Sequence, residues 1–468
     1  MSALDRHLFG PGRKRILSID GGGARGILAC GILRQIESKL ASRVPHAFRR
    51  NFRLHHYYDL IGGTSTGAII AAGLSIGLSV DDVKKLYLSL CPKIFKERNV
   101  RGVRKPRFDA AVLQAELDRI LRENDAGAMP LPLEGTVPVG QPIMLGSPAL
   151  HTGLAIFAKR IDTGGVWSFT NNPRWAFYDA EAAKLHGMST ASFVENKRLP
   201  LSSIVRASAA APTYFEGVGI GVDQNEGAAR GGSGLDGVFV DGALSGRNTP
   251  ALQLLLMVTH PVYGFGWETG EDSLLLTSVG TGWWRPKVTN AIVSLNPMSR
   301  QAREAWFAVE SLQTMIHDSS LNAITILQAL SADNKSQRRW VIDGELGDML
   351  GFRLTPQALL SFRRLDLRLD DVSLEQVLGR KIQSEASAEE PSIQLSEENR
   401  RAATAWGQSA LVMRLRQLAI NDRPSLRLLY SLGERYAERA IDDEDFPVWF
   451  DPPEMLDPEP SDTLGVVE

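Results

Sequence analysis

Short apolar runs alternate with amphipathic stretches along the first 335 or so residues. Arg15-Ile16-Leu17-Ser18-Ile19 reads as a buried strand. Ile27 to about Leu40 reads as a helix, with Ile27, Leu28, Ile32, Leu33, Ile36 and Leu40 on one face. The run Tyr57-Tyr58-Asp59-Leu60-Ile61 predicts a second strand, and Ala68-Ile69-Ile70-Ala71-Ala72 opens a second helix. Val83 to Leu90 continues as helix, and Phe108 to Glu123 is amphipathic with Asp109 as its cap. Ala155-Ile156-Phe157-Ala158 and Val166-Trp167-Ser168-Phe169-Thr170 flank an Asp162-Thr163-Gly164-Gly165 turn, which predicts a hairpin. Val238-Phe239-Val240 and Ser273 to Val279 read as further strands. Ala251 to Val258, entered through Asn248-Thr249-Pro250, and Ile316 to Leu330 read as helices. Strands alternating with helices predict an α/β domain with a central, mostly parallel sheet and helices on both faces.

Beyond Ser331 the pattern changes. Trp340 to Ile342 fits an edge strand, and residues 355–420 carry helical patterns broken by a Ser/Glu-rich segment near 384–396 that reads as a linker. Ile441 to Glu468 holds ten acidic residues, five prolines and no Lys or Arg, which predicts a disordered or loosely docked tail. The expected division is a domain over 12–335, a mainly helical C-terminal extension over 336–440 and an acidic, Pro-rich tail over 441–468.

Composition narrows the class. A net charge of −2 gives no global basic field for nucleic acid. Cys30 and Cys91 are too few for a disulfide framework and read as buried thiols of a reduced compartment. Met1 to Arg15 lacks an apolar core of signal-peptide type, and no run approaches the ~20 apolar residues of a membrane span. A cytoplasmic protein is expected, with any membrane contact peripheral at the inner membrane. Seven of the fifteen residues from Lys93 to Arg107 are Lys or Arg. That stretch suits an anionic membrane surface or, equally, a solvated loop.

Two turns carry candidate chemistry. Gly63-Thr64-Ser65-Thr66-Gly67 is a Gly-x-Ser-x-Gly turn between strand and helix, the setting that pushes a serine hydroxyl out of a sheet edge as a nucleophile. Asp20-Gly21-Gly22-Gly23-Ala24-Arg25-Gly26 joins a strand to a helix N-terminus, where amides lack intrahelical partners. Amides of Gly21, Gly22, Gly23, Ala24 and Arg25, with Thr66, are expected to form an oxyanion hole for Ser65. Asp20 is expected to hold that loop through hydrogen bonds to backbone. Arg25 fits either loop support or a substrate phosphate. The same loop satisfies Gly-x-Gly-x-x-Gly, so a dinucleotide-binding protein is the alternative, although the stretch from Ala41 to His56 offers no acid-ended second strand. The base for Ser65 is open between a histidine, His260 or His317, and Asp241, which follows Val238-Phe239-Val240 and precedes Gly242. No cluster at metal-ligand spacing appears, and no metal or other cofactor is expected.

Asp-Gly-Gly-Gly-x-Arg-Gly at 20–26, Gly-x-Ser-x-Gly at 63–67 and Asp-Gly-Ala at 241–243, in this order, resemble the patatin-like phospholipases. So do Arg206-Ala207-Ser208-Ala209-Ala210-Ala211-Pro212-Thr213-Tyr214-Phe215 and Leu276-Thr277-Ser278-Val279-Gly280-Thr281-Gly282. The resemblance covers about residues 12–335. It implies a three-layer α/β/α hydrolase with a Ser65–Asp241 dyad and no histidine. Gly26, Gly63, Gly67 and Gly242 are then motif supports. It further implies hydrolysis of fatty-acyl esters of membrane phospholipids through an acyl-enzyme. An activator, a homo-oligomer and a role as an anti-phage effector stay open.

Overall fold

The computed structural model describes residues 2–96, 107–122, 140–188, 194–221, 237–284, 300–332, 351–382, 393 and 395–456. Eight strands form one sheet: β1 (Lys14–Ile19), β2 (Leu60–Thr64), β3 (Gly153–Arg160), β4 (Val166–Thr170), β5 (Val218–Ile220), β6 (Gly237–Asp241), β7 (Leu274–Val279) and β8 (Ser361–Leu365). The strands β3, β2, β1, β7 and β8 run parallel in that order, with Ile16 opposite both Leu60 and Leu276. β4 and β6 pair antiparallel with β3, and β5 pairs antiparallel with β6. The 162–165 turn closes the predicted hairpin.

Strand alternation divides the apolar residues between two cores. Leu17, Ile19, Ile61, Leu275 and Val279 face one side. The helices Gly26–Ala41, Thr66–Ser75, Val80–Ile94, Leu201–Ser208 and Arg423–Ala440 cover it. Ile16, Leu60, Leu274 and Leu276 face the other, under the helices Ala251–Thr259 and Arg300–Leu330. Three layers result, as the period-2 and period-3.6 patterns predict. Both cysteines are free and buried, and burial pushes their thiols up.

The C-terminal part differs from the sequence reading. The outer strand β8 comes from beyond residue 335 and completes the parallel sheet, although helices dominate the rest of that part. The helix Arg300–Leu330 is 31 residues long, twice the predicted length. Residues 441–456 are docked rather than loose: Phe446 and Phe450 are fully buried, and Asp443, Asp445 and Asp451 meet Lys39, Arg363 and Arg43. The acids that made this stretch look disordered are counter-ions for basic residues on the domain. The predicted 340–342 strand, most of the 384–396 linker, the centre of the basic stretch and the last twelve residues lie outside the described residues. Among the described residues no helix is long and apolar enough to cross a membrane.

Candidate active site

Ser65 sits between β2 and the helix Thr66–Ser75 with φ 56° and ψ −122°. A non-glycine residue in that region is strained by about 1–3 kcal/mol, and such strain persists only where the surroundings impose it. The imposition is visible. A Cβ on Gly63 would lie 2.1 Å from the Gly67 carbonyl oxygen, and one on Gly67 would lie 2.2 Å from that of Ile19. The Ser65 amide donates to Ser208 Oγ at 2.9 Å, and that hydroxyl donates to the Phe157 carbonyl at 2.6 Å. Small residues at 207–211 let this chain segment lie against β3 and β6, and the Asp241 amide donates to the Ala210 carbonyl.

Asp241 ends β6 and faces Ser65. Ser65 Oγ donates to Asp241 Oδ2 at 2.6 Å, and the Ala243 amide donates to Oδ1 at 2.9 Å. The side chain is buried, and among the described residues no cation is paired to it. Burial pushes its carboxyl up to about 6, against the lowering by its two hydrogen bonds. Gly242 follows in a buried turn, Gly242–Ser245.

The glycine loop lies beside this pair. A Cβ on Gly21 would stand 3.2 Å from Ser65 Cβ. Three of the five donors expected from the loop are already occupied: the Gly21, Ala24 and Arg25 amides donate to the carbonyls of Asn248, Leu418 and Gly22. Among the described residues, the amides of Gly22 and Gly23 have no such acceptor. Gly23 has φ +59°, and a Cβ there would be 2.4 Å from the Leu418 carbonyl oxygen. Gly26 opens the helix behind the loop, and its amide caps back to Gly23 and Ala24. Asp20 does not bond loop backbone as expected. Its Oδ2 accepts from Thr249 Oγ1 at 2.7 Å and from Arg364 Nη2 at 2.6 Å. The Arg25 guanidinium is buried over the Trp284 ring at 4.7 Å, and burial lowers it to about 10.

The histidine alternative loses its geometry. The 2.6 Å Ser65–Asp241 bond leaves no space for an intervening imidazole. His260 is exposed and accepts locally from the Val262 amide, while His317 borders the cavity, stacked on Trp283. The dinucleotide alternative needs a second strand before residue 57. Residues 42–56 contain only the short turns His46–Phe48 and Leu54–His56.

A cavity of about 660 Å³ opens onto Ser65, Asp241 and the glycine loop. Ile69, Leu90, Ile94, Phe95, Phe108 and Phe215 form an apolar wall. Arg364, Asp366 and the Arg414–Ala419 stretch close another side, and pattern reading did not single these out. A signal was present: Leu365-Asp366-Leu367-Arg368-Leu369 alternates strictly, with all three leucines buried, which is strand periodicity inside a stretch read as helical.

Parts of the chain are similar in sequence to known proteins. A cGAMP-activated phospholipase of Escherichia coli is 39% identical over 98 residues, which cover 21% of this chain and 25% of the relative. A cUMP-AMP-activated phospholipase of Escherichia coli is 39% identical over 85 residues, covering 18% and 23%. Patatin-like protein 2 of Arabidopsis thaliana is 34% identical over 114 residues, covering 21% and 27%. The chain thus matches about a quarter of the length of these relatives. VipD from Legionella pneumophila aligns with 86% of this chain and 67% of its own at 10% identity, and its TM-score of 0.33 is too low to carry an argument. Residues 17–255, just over half of the chain, match the family described as patatin-like phospholipase, so the chain belongs to the patatin-like phospholipase family.

Proposed function

We propose that this protein is a lipid acyl hydrolase of phospholipase A type in which Ser65 is the nucleophile and Asp241 its base. The observation that carries the reading is the 2.6 Å bond from a strained, half-buried serine to a buried carboxylate that has no cationic partner among the described residues. An ordinary carboxylate, with a pKa near 3.9, is a weak base at neutral pH. Held up to about 6, Asp241 is a stronger base and still ionised at pH 7.

The proposed steps use this geometry. Asp241 Oδ2 takes the Ser65 proton as Oγ attacks an ester carbonyl. The developing oxyanion is met by the Gly22 and Gly23 amides and by the Thr66 amide at the first turn of the next helix. Collapse releases the alcohol or lysolipid, which takes the proton from Asp241. Water, deprotonated by the same carboxylate, attacks the acyl-enzyme carbonyl; Ser65 Oγ leaves, takes the proton back from Asp241, and the fatty acid is freed. The apolar wall of the cavity suits an acyl chain. Buried Arg25, near the reacting end, suits an anionic headgroup.

Fatty-acid release from phosphatidylglycerol vesicles tests the reading. Ser65→Ala is expected to lower kcat by ~10⁴-fold or more, by analogy with serine triads. A fluorophosphonate should label Ser65 and no other serine. Hydrolysis by Ser65→Ala at the parent rate, or a label elsewhere, removes Ser65 as the nucleophile. Control by a cyclic dinucleotide, as in an anti-phage effector, is supported by the names of two relatives. A rate unchanged by saturating cGAMP or cUMP-AMP would count against those two activators.

A further inference from the structure

The glycine loop that would meet the oxyanion is not self-supporting. Its anchor lies some 340 residues away, on the strand that completes the sheet. Arg364 in β8 and Asp366 just past its end are two positions apart, and their side chains meet each other. Arg364 Nη2 donates to Asp20 Oδ2 at 2.6 Å and to Asp366 Oδ2 at 2.8 Å, and Nη1 donates to Ser278 Oγ at 2.8 Å. Asp366 Oδ1 accepts from the Gly282 amide at 2.9 Å, and the Asp366 amide donates to Tyr436 Oη at 3.2 Å. Between Ser278 and Gly282, Thr281 Oγ1 donates to the Gly21 carbonyl at 2.8 Å. The same hydroxyl would lie 2.1 Å from a Cβ on Gly22.

Two routes therefore run from one guanidinium to the loop. One passes through Asp20, the residue before Gly21. The other passes through Asp366 and the 280–282 turn to Thr281, packed against Gly22. Arg364, Asp366 and Asp20 are each at least 95% buried and border the cavity. A stabilising role alone accounts poorly for the arrangement, because a buried ion-pair network is seldom better than well-packed apolar side chains.

We propose that Arg364 and Asp366 are positioning residues that set the Gly22 and Gly23 amides in register with Ser65. They touch neither Ser65 nor Asp241 by any of these bonds, so they would act through the loop. The proposal rests on the Ser65 reading above. A lysine at 364 keeps the charge but cannot reach Asp20, Asp366 and Ser278 as a planar fork does. Asp366→Asn keeps an acceptor for the Gly282 amide but turns an N–H toward Arg364.

The test uses the full chain with a soluble p-nitrophenyl ester, a trifluoromethyl ketone as oxyanion mimic, and hydrogen exchange of a peptide spanning 20–26. Arg364→Lys should lower kcat by ~10²-fold, the effect of losing one oxyanion donor, with KM within twofold. Ketone affinity should fall by a similar factor, and exchange in 20–26 should rise. Asp366→Asn should shift all three in the same direction by about tenfold. Phe362→Leu, a core change on the same strand, should lower Tm and leave kcat and exchange near parental values. Parental exchange and kcat in both folded polar variants overturns the proposal. So does a loss of kcat with ketone affinity unchanged, or equal effects in Phe362→Leu. If Ser65→Ala hydrolyses the ester as fast as the parent, the Ser65 reading falls instead, and the exchange measurement still decides whether β8 holds the loop. Arg364→Lys unfolded and Asp366→Asn folded leaves the decision with the latter's kcat, ketone affinity and exchange.

Discussion

Asp241 and Asp59 are buried at opposite ends of the parallel sheet, and the two carboxylates are opposites. Asp241, at the C-terminal ends of the strands, has one hydroxyl and one amide for partners, and burial raises it to about 6. Asp59, at the N-terminal ends, receives the Arg15 amide, the Arg15 guanidinium through Nε and Nη2, and His7 Nδ1. Burial opposes its ionisation too, but Arg15 and His7 prevail and hold it below the ordinary carboxylate range. Burial is common to both sites. Between these two residues, the Arg15 guanidinium separates a carboxylate that can exchange a proton near neutral pH from one held as a structural anion.

The comparison breaks if the two residues fail in the same way. Asp241→Asn should remove at least ~10⁴ in kcat without lowering Tm at pH 7, because it deletes a proton acceptor, keeps the hydrogen-bonding shape and removes a buried charge. Asp59→Asn should leave kcat close to the parent value and lower stability by ~3–5 kcal/mol, the usual result of stripping a buried charge of its partner. Urea melts and ester hydrolysis on the same preparations separate the two. A stable, inactive Asp59→Asn protein would mean that charge pairing does not sort function from structure here.

A smaller effect at the same end concerns the acidic tail. Arg15 Nη1 also donates to the Phe450 carbonyl at 2.8 Å, and Phe450 is buried in the larger core. Phe450→Ala should cost ~3 kcal/mol or somewhat more by cavity formation, without a change in kcat. Unaltered urea stability would show that the segment is dispensable.

The site was legible where a residue's job is local. A positive-φ serine needs glycines two positions either side, and a loop of the kind proposed to meet the oxyanion needs small residues before a helix, so Gly63, Gly67, Gly22 and Gly23 stand out in the sequence. The carboxylate at 241 ends a visible apolar strand. What was not legible depends on partners remote in sequence. Nothing around Leu418 says that its carbonyl will occupy the Ala24 amide. Adjacent Arg363 and Arg364 hide a strand by interrupting its apolar pattern, since each is buried against its own carboxylate, Asp445 or Asp20. The tail misled for the same reason. Its acids resemble those of a solvated segment until Arg43 and Arg363 are placed opposite Asp451 and Asp445.

The subtlest test sharpens the contrast through pH. His55, His56 and His151 cluster beside His7, the partner of Asp59, and burial lowers all three, His56 to about 4. The folded state keeps them neutral while the unfolded chain protonates near 6.5, so their stabilisation is complete above that pH and is lost as pH falls toward 4. Asp241 has the opposite sign. Its folded pKa of about 6 exceeds the ordinary 3.8, so its contribution is full below 3.8 and is lost as pH rises through 6. On acidification from pH 6 to 4, Asp241 therefore takes up a proton that favours the folded state and offsets part of the histidine loss. Asp241→Asn should remove that offset. Its stability should fall more steeply than the parent's over this interval, by up to ~1.4 kcal/mol per pH unit, the slope of one proton. Parallel curves from urea melts at half-unit steps would mean that Asp241 titrates alike in the folded and unfolded chain. Its basicity could then no longer be credited to burial.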